Sequence, residues 1–475
     1  MIEFDGHVSI GDIVAVARDH EHVAVSSARL DSVTRAHEAA RQLAERIPTY
    51  GRATGVGANR SVTVNDDDSQ HGLRLLRSHA VDAGDALPAI AVRSMLAVRL
   101  AQLSISGSGI RPDILDALTR MLEMDALPVV LEFGSVGTAD LAALAAVALT
   151  LMGERPASTP IEPMHPWDAD SALPFMSSSA LTIGRTCLVV DELHELIRAS
   201  HAVFGLSFVG LRGNRSPFSA AAAIAGAAPG LDDVCQMLRE RLGEIGEAAR
   251  IQDPYALRAF PITLAPVIDA LGQLDALVTT LVNTAQENPL FTDNDVIHHA
   301  GFHQVALGLK ADALALALAA QTPVSLSRIR LMSEPDYTGL RPFLTSGLPG
   351  ASGIMMVEYV AGAAVGEMHA CAHPSSLTTV VLSRGTEEDA SFAPVAIAQL
   401  ERATHALRTM LGCELLIATR MLRQQGVRPA DLPSDAMRRA WDVVRALPSD
   451  DADRDLRPDL GLAQQLLAEL AELDE

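Results

Sequence analysis

Leu264, Val267, Leu271, Leu274, Val278 and Leu281 recur at alternating spacings of three and four. That rhythm puts them on one side of a long α-helix and predicts a seam packed inside a bundle. Residues 140–152 are almost wholly apolar, and residues 305–320 carry only Lys310 and Asp312 as charges. Both stretches fall short of the ~18 uninterrupted apolar residues that span a bilayer, so both are expected to be helices buried on most sides. Ala313-Leu314-Ala315-Leu316-Ala317-Leu318 alternates with a period of two, as a strand would. Ala and Leu are strong helix formers and β-branched residues are missing there, so helix is the prediction.

Breaks in these patterns suggest how the chain is divided. Pro156, Pro160, Pro163, Pro166 and Pro174 crowd a stretch with few apolar repeats, and Gly426, Pro429 and Pro433 interrupt a second one. The expected organisation is a catalytic domain over 1–155, a central helical bundle over 156–425 and a helical segment over 426–475. Leucines between 460 and 473 alternate with Gln and Glu as on an amphipathic helix. No internal repeat is evident.

Composition narrows the class. The 475 residues are 48% hydrophobic but only 4% aromatic, so the core must be built from Ala, Leu, Val and Ile, which favours close helix–helix packing. A net charge of −22 argues against nucleic acid and anionic membranes as partners. Cys187, Cys235, Cys371 and Cys413 are widely spaced and form no metal-ligand pattern, so no metal is expected. They read as reduced thiols of a cytoplasmic protein. Met1-Ile2-Glu3-Phe4-Asp5 has no basic or apolar leader character, and no secretion signal is expected.

An ordered series of short motifs carries the chemistry. Gly134-Ser135-Val136-Gly137-Thr138-Ala139-Asp140-Leu141 resembles the Gly-Ser-Val-Gly-Ala-Ser-Gly-Asp-Leu loop of the histidine/phenylalanine ammonia-lyase family. Tyr50-Gly51-Arg52-Ala53-Thr54-Gly55-Val56-Gly57 is similar to that family's Tyr-Gly-Val-Asn-Thr-Gly-Phe-Gly, and Gln252-Asp253-Pro254-Tyr255-Ala256-Leu257-Arg258 to its Gln-Asp-Pro-Tyr-Ser-Leu-Arg. Ser78-His79, Glu287-Asn288-Pro289-Leu290, Gly301-Phe302-His303 and Glu387-Glu388-Asp389 continue the series in order. The resemblance spans nearly the whole chain. It implies a mainly α, ammonia-lyase-like fold with a long central bundle and a smaller N-terminal catalytic domain, assembled as a homotetramer with shared active sites.

The same resemblance assigns roles. Tyr50 stands where the family has its catalytic base, with Tyr255 as the second catalytic candidate. Arg258 stands where an arginine grips the substrate carboxylate, a task suited to a planar, permanently charged fork. Ser78 and His79 occupy the position that selects the substrate side chain, and members acting on histidine carry Ser-His there. Glu388 falls where those members keep a carboxylate for the imidazole N–H. Gln252, Phe302 and Ser179 match further pocket positions, although the family has Asn where Ser179 and Ala53 stand.

In the family, Ala-Ser-Gly cyclises into an electrophilic methylideneimidazolone (MIO) ring. Here Gly137, Thr138 and Ala139 hold those positions, in a loop one residue shorter. Thr138 would leave a methyl-bearing alkene, and Ala139 places a Cβ where glycine lends conformational freedom. The loop also reads as one capped by Thr138 at the start of the following helix, whose N-terminus could receive an anionic group. The expectation is therefore a lyase without an MIO group or other cofactor, acting on a small, histidine-like amino-acid carboxylate with Tyr50 as general base. Two alternatives stand beside it. One is a conventional ammonia-lyase with a ring modified from Gly137-Thr138-Ala139, and the other is a catalytically silent homologue serving as a binding scaffold.

Overall fold

The computed structural model describes residues 1–475 except 66–69, 165–166, 168–169, 245 and 474–475. Pro166 of the proline-rich stretch lies outside the described residues. The fold is mainly α, with three two-stranded sheets among the described residues. Two compact units emerge, the first made of 1–191, 274–311 and 374–398 and the second of 192–273, 312–373 and 399–475. They are interleaved along the chain and do not follow the consecutive boundaries expected near 155 and 425. The reason is that the long helices Ala180–Gly210, Phe260–Val282, Val305–Met332 and Ala393–Gln424 each contribute residues to both units.

In the first unit, Ile2–Phe4 pairs in parallel with Val23–Val25, and Ala83–Ala86 pairs antiparallel with Leu131–Phe133. Helix Ile10–Arg18 begins with a reciprocal capping box between Ser9 and Asp12. It packs on Ala89–Leu103, which is buried from Ala91 onward. Two arginines of that buried helix are satisfied by carbonyls and carboxylates. Arg93 donates to Val16 O, Leu122 O and Asp125. Arg99 donates to Phe175 O (2.9 Å), Pro174 O and Glu287 Oε1 (2.8 Å). Helix Leu141–Leu151 is buried over 142–151, as its unbroken apolar run predicts.

In the second unit the long helices meet around one carboxylate. Glu414 accepts from Arg328 Nε (2.7 Å) and Nη2 (2.8 Å) and from Ser207 Oγ (2.8 Å). The Arg328 guanidinium also lies over the rings of Phe204 and Phe260, which stack 4.1 Å apart. Arg328 Nη1 donates to Ala256 O at 3.0 Å, which anchors the short turn Tyr255–Arg258.

The seam on Phe260–Val282 is observed, with Leu264, Val267, Leu271, Leu274 and Val278 buried. At its end Val282 takes the buried place and Leu281 is half-buried, one residue off the predicted phase. The period-two Ala-Leu stretch lies within the single helix Val305–Met332. That helix outruns the apolar run from which it was read. With Ala172–Gly210 and Tyr255–Val282 it is long and apolar enough, by length and composition, to cross a membrane, contrary to the length argument above. The apolar window of Ala172–Gly210 is 89% buried within the protein, so its hydrophobicity is used internally.

Candidate active site

Tyr50 sits in a loop that two glycines shape. Gly51 (φ +76°) has no room for a Cβ against Leu173, and a Cβ on Gly57 (φ +55°) would lie 2.7 Å from Ser383 Oγ. With those turns in place the phenol folds back on its own loop, and Gly57 N–H donates to Tyr50 OH at 2.7 Å. The Tyr50 amide donates to His298 Nε2 at 3.3 Å, and the buried His71 ring contacts Gly51 O at 3.1 Å. Tyr50 thereby lines a cavity of about 830 Å³ within the first unit.

Helix His71–His79 lays one face along this cavity. His71, Arg74, Leu75, Ser78 and His79 all line it, at the three- and four-residue spacings of a helical stripe. Ser78 Oγ donates to Leu75 O at 3.0 Å, and His79 Nδ1 lies 2.8 Å from the same carbonyl. In the tautomer that donates from Nδ1, His79 Nε2 is the acceptor.

Thr138 and Ala139 form another part of the wall. Gly137 has φ +90° and Ala139 φ +70°, so the loop takes a tight left-handed course through an alanine as well as a glycine. Side chains fasten it. Ser391 Oγ donates to Gly137 O (2.9 Å), Ser135 Oγ donates to Ala139 O (3.0 Å), and Thr138 forms a bridge with His303. Thr138 does not cap the following helix. Asp140 is the N-cap residue, and its carboxylate instead accepts from Thr182 N (2.8 Å) and Oγ1 (3.0 Å). Burial pushes the Asp140 carboxyl up, opposed by those Thr182 donors.

Phe302 lines the cavity, whereas Ser179 is buried behind it and donates to Phe302 O at 3.1 Å. Glu388 does not line the cavity and is exposed; the carboxylate there is Glu387. Glu387 bridges backbone-to-backbone with Leu382. Neighbouring residues of extended chain point to opposite sides, so the inward position falls on 387 and not 388. Glu387 and Asn288, which lie in quoted motifs but were given no site role, line the cavity, as do His71 and Arg74, which the motifs did not single out. Counting back by three and four from Ser78-His79 would have found His71 and Arg74.

Arg258, Tyr255 and Gln252 do not join them within one chain. They line a pocket of about 410 Å³ in the second unit. The Arg258 guanidinium covers the Tyr255 ring at 4.5 Å, its Nε has no hydrogen-bond partner among the described residues, and Tyr255 is 68% exposed.

Burial pushes the Tyr50 phenol above its ordinary pKa. The Gly57 N–H pulls it down, the Glu387 charge pushes it up, and Arg60 lowers it. The resting group is therefore a phenol at neutral pH and must lose its proton before it can accept one. For a phenolate base, kcat/KM rises with pH until the raised pKa is passed. Glu387→Gln removes one upward push, so the alkaline limb of that profile is expected to move to lower pH. A limb that stays in place in the variant would remove Glu387 from the surroundings of the phenol.

Residues 8–446 match the family model for aromatic amino acid lyase. The chain belongs to the aromatic amino acid lyase family. It is 30% identical to histidine ammonia-lyase of Deinococcus radiodurans over 482 residues, covering 96% of this chain and 91% of that one. The tyrosine aminomutase of Streptomyces globisporus shares the fold with a TM-score of 0.91 at 25% identity, covering 99% and 97% of the two chains. Histidine ammonia-lyase from Trypanosoma cruzi shares it at 0.89 and 22% identity, covering 98% and 93%.

Membership corrects one expectation. The histidine and phenylalanine ammonia-lyases and aminomutases of this family carry the MIO group, so an aromatic amino acid lyase cannot be assigned no cofactor from its triad alone. The obstacle read at Ala139 also weakens in the structure. Its backbone already adopts the left-handed turn that was reserved for glycine, with its carbonyl held by Ser135. In placement and backbone course Gly137, Thr138 and Ala139 fit the group, and Thr138 retains a hydroxyl that can leave as water.

Proposed function

We propose that this aromatic amino acid lyase is an ammonia-lyase for an α-amino acid with a polar, histidine-like side chain, and that Tyr50 is its base. The observation that carries the reading is the single cavity walled by the Tyr50 phenol, the Ser78-His79 helix end and the Thr138-Ala139 loop. Likeness to relatives named histidine ammonia-lyase supports it.

The reaction breaks two bonds. The Tyr50 phenolate takes the β-proton, and the C–H electron pair becomes the Cα=Cβ bond. The Cα–N bond breaks with its electrons leaving on nitrogen, which departs as ammonia. Gly57 N–H holds the phenol oxygen and stabilises the phenolate when it forms. Glu387 offers the cavity a carboxylate for the imidazole N–H or the substrate ammonium. Gly137, Thr138 and Ala139 would carry the MIO group, which when bound supplies an electrophile that draws substrate electrons and eases departure of the amine. A mass two waters below that of the sequence is the signature of such a ring.

The grip on the α-carboxylate comes from a neighbouring copy in a homotetramer, through Arg258 with Tyr255 and Gln252. The exposure of Tyr255 and the unpartnered Arg258 Nε suit a group that completes a site outside its own chain. Incubation with L-histidine is expected to produce a conjugated unsaturated acid, read by ultraviolet absorbance, with an equal amount of ammonia. An assembled tetramer that turns over no α-amino acid would return the chain to the scaffold reading.

A further inference from the structure

Closing a ring from residues 137–139 requires the Ala139 amide nitrogen to add to the Gly137 carbonyl carbon. A peptide carbonyl is a poor electrophile, so its surroundings must compress the loop and receive the negative charge that gathers on the Gly137 oxygen. The first requirement is met within the loop. Gly137 (φ +90°) and Ala139 (φ +70°) curl it left-handed. Ser135 Oγ ties its ends together, accepting from Gly137 N (3.1 Å) and donating to Ala139 O (3.0 Å).

The second requirement is met from a distant part of the sequence. Ser391 Oγ donates to Gly137 O at 2.9 Å. Ser391 is only 4% exposed, so the bond acts in a largely dry setting, where it is electrostatically stronger than in water. Two backbone amides hold the donor in place. Phe392 N donates to Val136 O at 2.9 Å, and Ala393 N donates to Ser391 Oγ at 3.3 Å, which leaves the hydroxyl proton for the carbonyl. A Cβ on Gly137 would collide with Ser391 Oγ. Glycine at 137, where the family's triad begins with alanine, is what admits the hydroxyl.

We propose that Ser391 is the oxyanion donor that activates the Gly137 carbonyl for ring closure in this chain. The Ala139 nitrogen forms a bond to the Gly137 carbon, and the carbonyl electron pair moves onto the oxygen that Ser391 holds. That oxygen leaves as water with the protons of the Ala139 and Thr138 amides, and a C=N bond forms between the Gly137 carbon and the Thr138 nitrogen. A second water takes the Thr138 hydroxyl and the Thr138 Cα proton, leaving the exocyclic alkene. Ser391 keeps its own proton throughout, and no oxidant or reductant is consumed.

This rests on the reading that Gly137, Thr138 and Ala139 carry the ring, and intact mass separates the two layers. The full chain is made by cell-free synthesis, and its mass is followed with time beside circular dichroism. The unaltered chain is expected to lose two waters. Ser391→Ala should lose them at least about a hundredfold more slowly with its helix content unchanged, the usual cost of removing one oxyanion donor. Ser391→Thr keeps the hydroxyl and should close within about tenfold of the unaltered rate. Ser391→Cys, a weaker donor of similar size, should be slow as well, and it decides the matter if the alanine variant does not fold. Equal rates in the unaltered chain and in Ser391→Ala or Ser391→Cys would overturn the proposal while leaving the ring and the proposed reaction in place. A folded Ser391→Thr as slow as Ser391→Ala would overturn it too, by tracing the defect to packing. An unaltered chain that keeps its full sequence mass would remove the ring itself, and this proposal with it.

Discussion

Tyr50→Phe is expected to lower kcat by about 10²- to 10⁴-fold, the usual contribution of a positioned acid–base group. The substitution removes one oxygen and leaves the ring in its place beside His298. What disappears is the oxygen proposed to accept the β-proton and the partner of Gly57 N–H, a bond that lies at the cavity and not in the core. Secondary structure and assembly state should therefore be unchanged, and steady-state kinetics beside circular dichroism and sedimentation checks both halves of the expectation. A variant with undiminished kcat would take Tyr50 out of the reaction. A variant that falls apart would make the phenol a structural group.

The largest effect on stability is expected at Arg99. Arg99 and Glu287 are both fully buried and joined at 2.8 Å. Arg99→Met strands the Glu287 carboxylate without its cation, a change that costs about 3–5 kcal/mol in buried pairs. It also releases the Pro174 and Phe175 carbonyls, at the end of the short helix whose Leu173 packs under Gly51. Loss of turnover should therefore accompany loss of stability. In the double variant Arg99→Met with Glu287→Leu no charge is left behind, and most of the stability should return. Urea midpoints of the single and double variants test this. Equal midpoints would show that the stranded charge is not the source of the cost.

Much of the helical frame was legible because burial and period coincide. The three-and-four seam from Leu264 to Val278 and the apolar run 141–151 each bury the side that their spacing marks. The Ala-Leu alternation was resolved by propensity, which outweighed a misleading period. The division into units was not legible, since proline-rich stretches mark loops, whereas the units interleave through helices that bear no break in pattern. At the site, the motifs located Tyr50, Ser78, His79, Phe302, Thr138 and Ala139 on one cavity. Glu387 escaped by one residue, because Ser383 and Arg384 turn left-handed just before it and reset the phase of the strand-like bridge. Arg258 lines a separate pocket with Tyr255 and Gln252, because order in a motif series says nothing about which residues share a cavity. Ala139 was misjudged because a side-chain rule was applied to a backbone that Ser135 and the Thr138 bridge hold in place regardless.

Residues 383–392 have a consequence for variation. Ser383 receives the amide of Ala58 on the tyrosine side, and Ser391 donates to the Gly137 carbonyl on the opposite wall. One short ribbon thus staples together two chemically distinct halves of the Tyr50 cavity. Mutational drift or redesign on either half is transmitted to the other, so new selectivity in this scaffold has to be acquired through both halves at once or through the free helix face that neither staple touches.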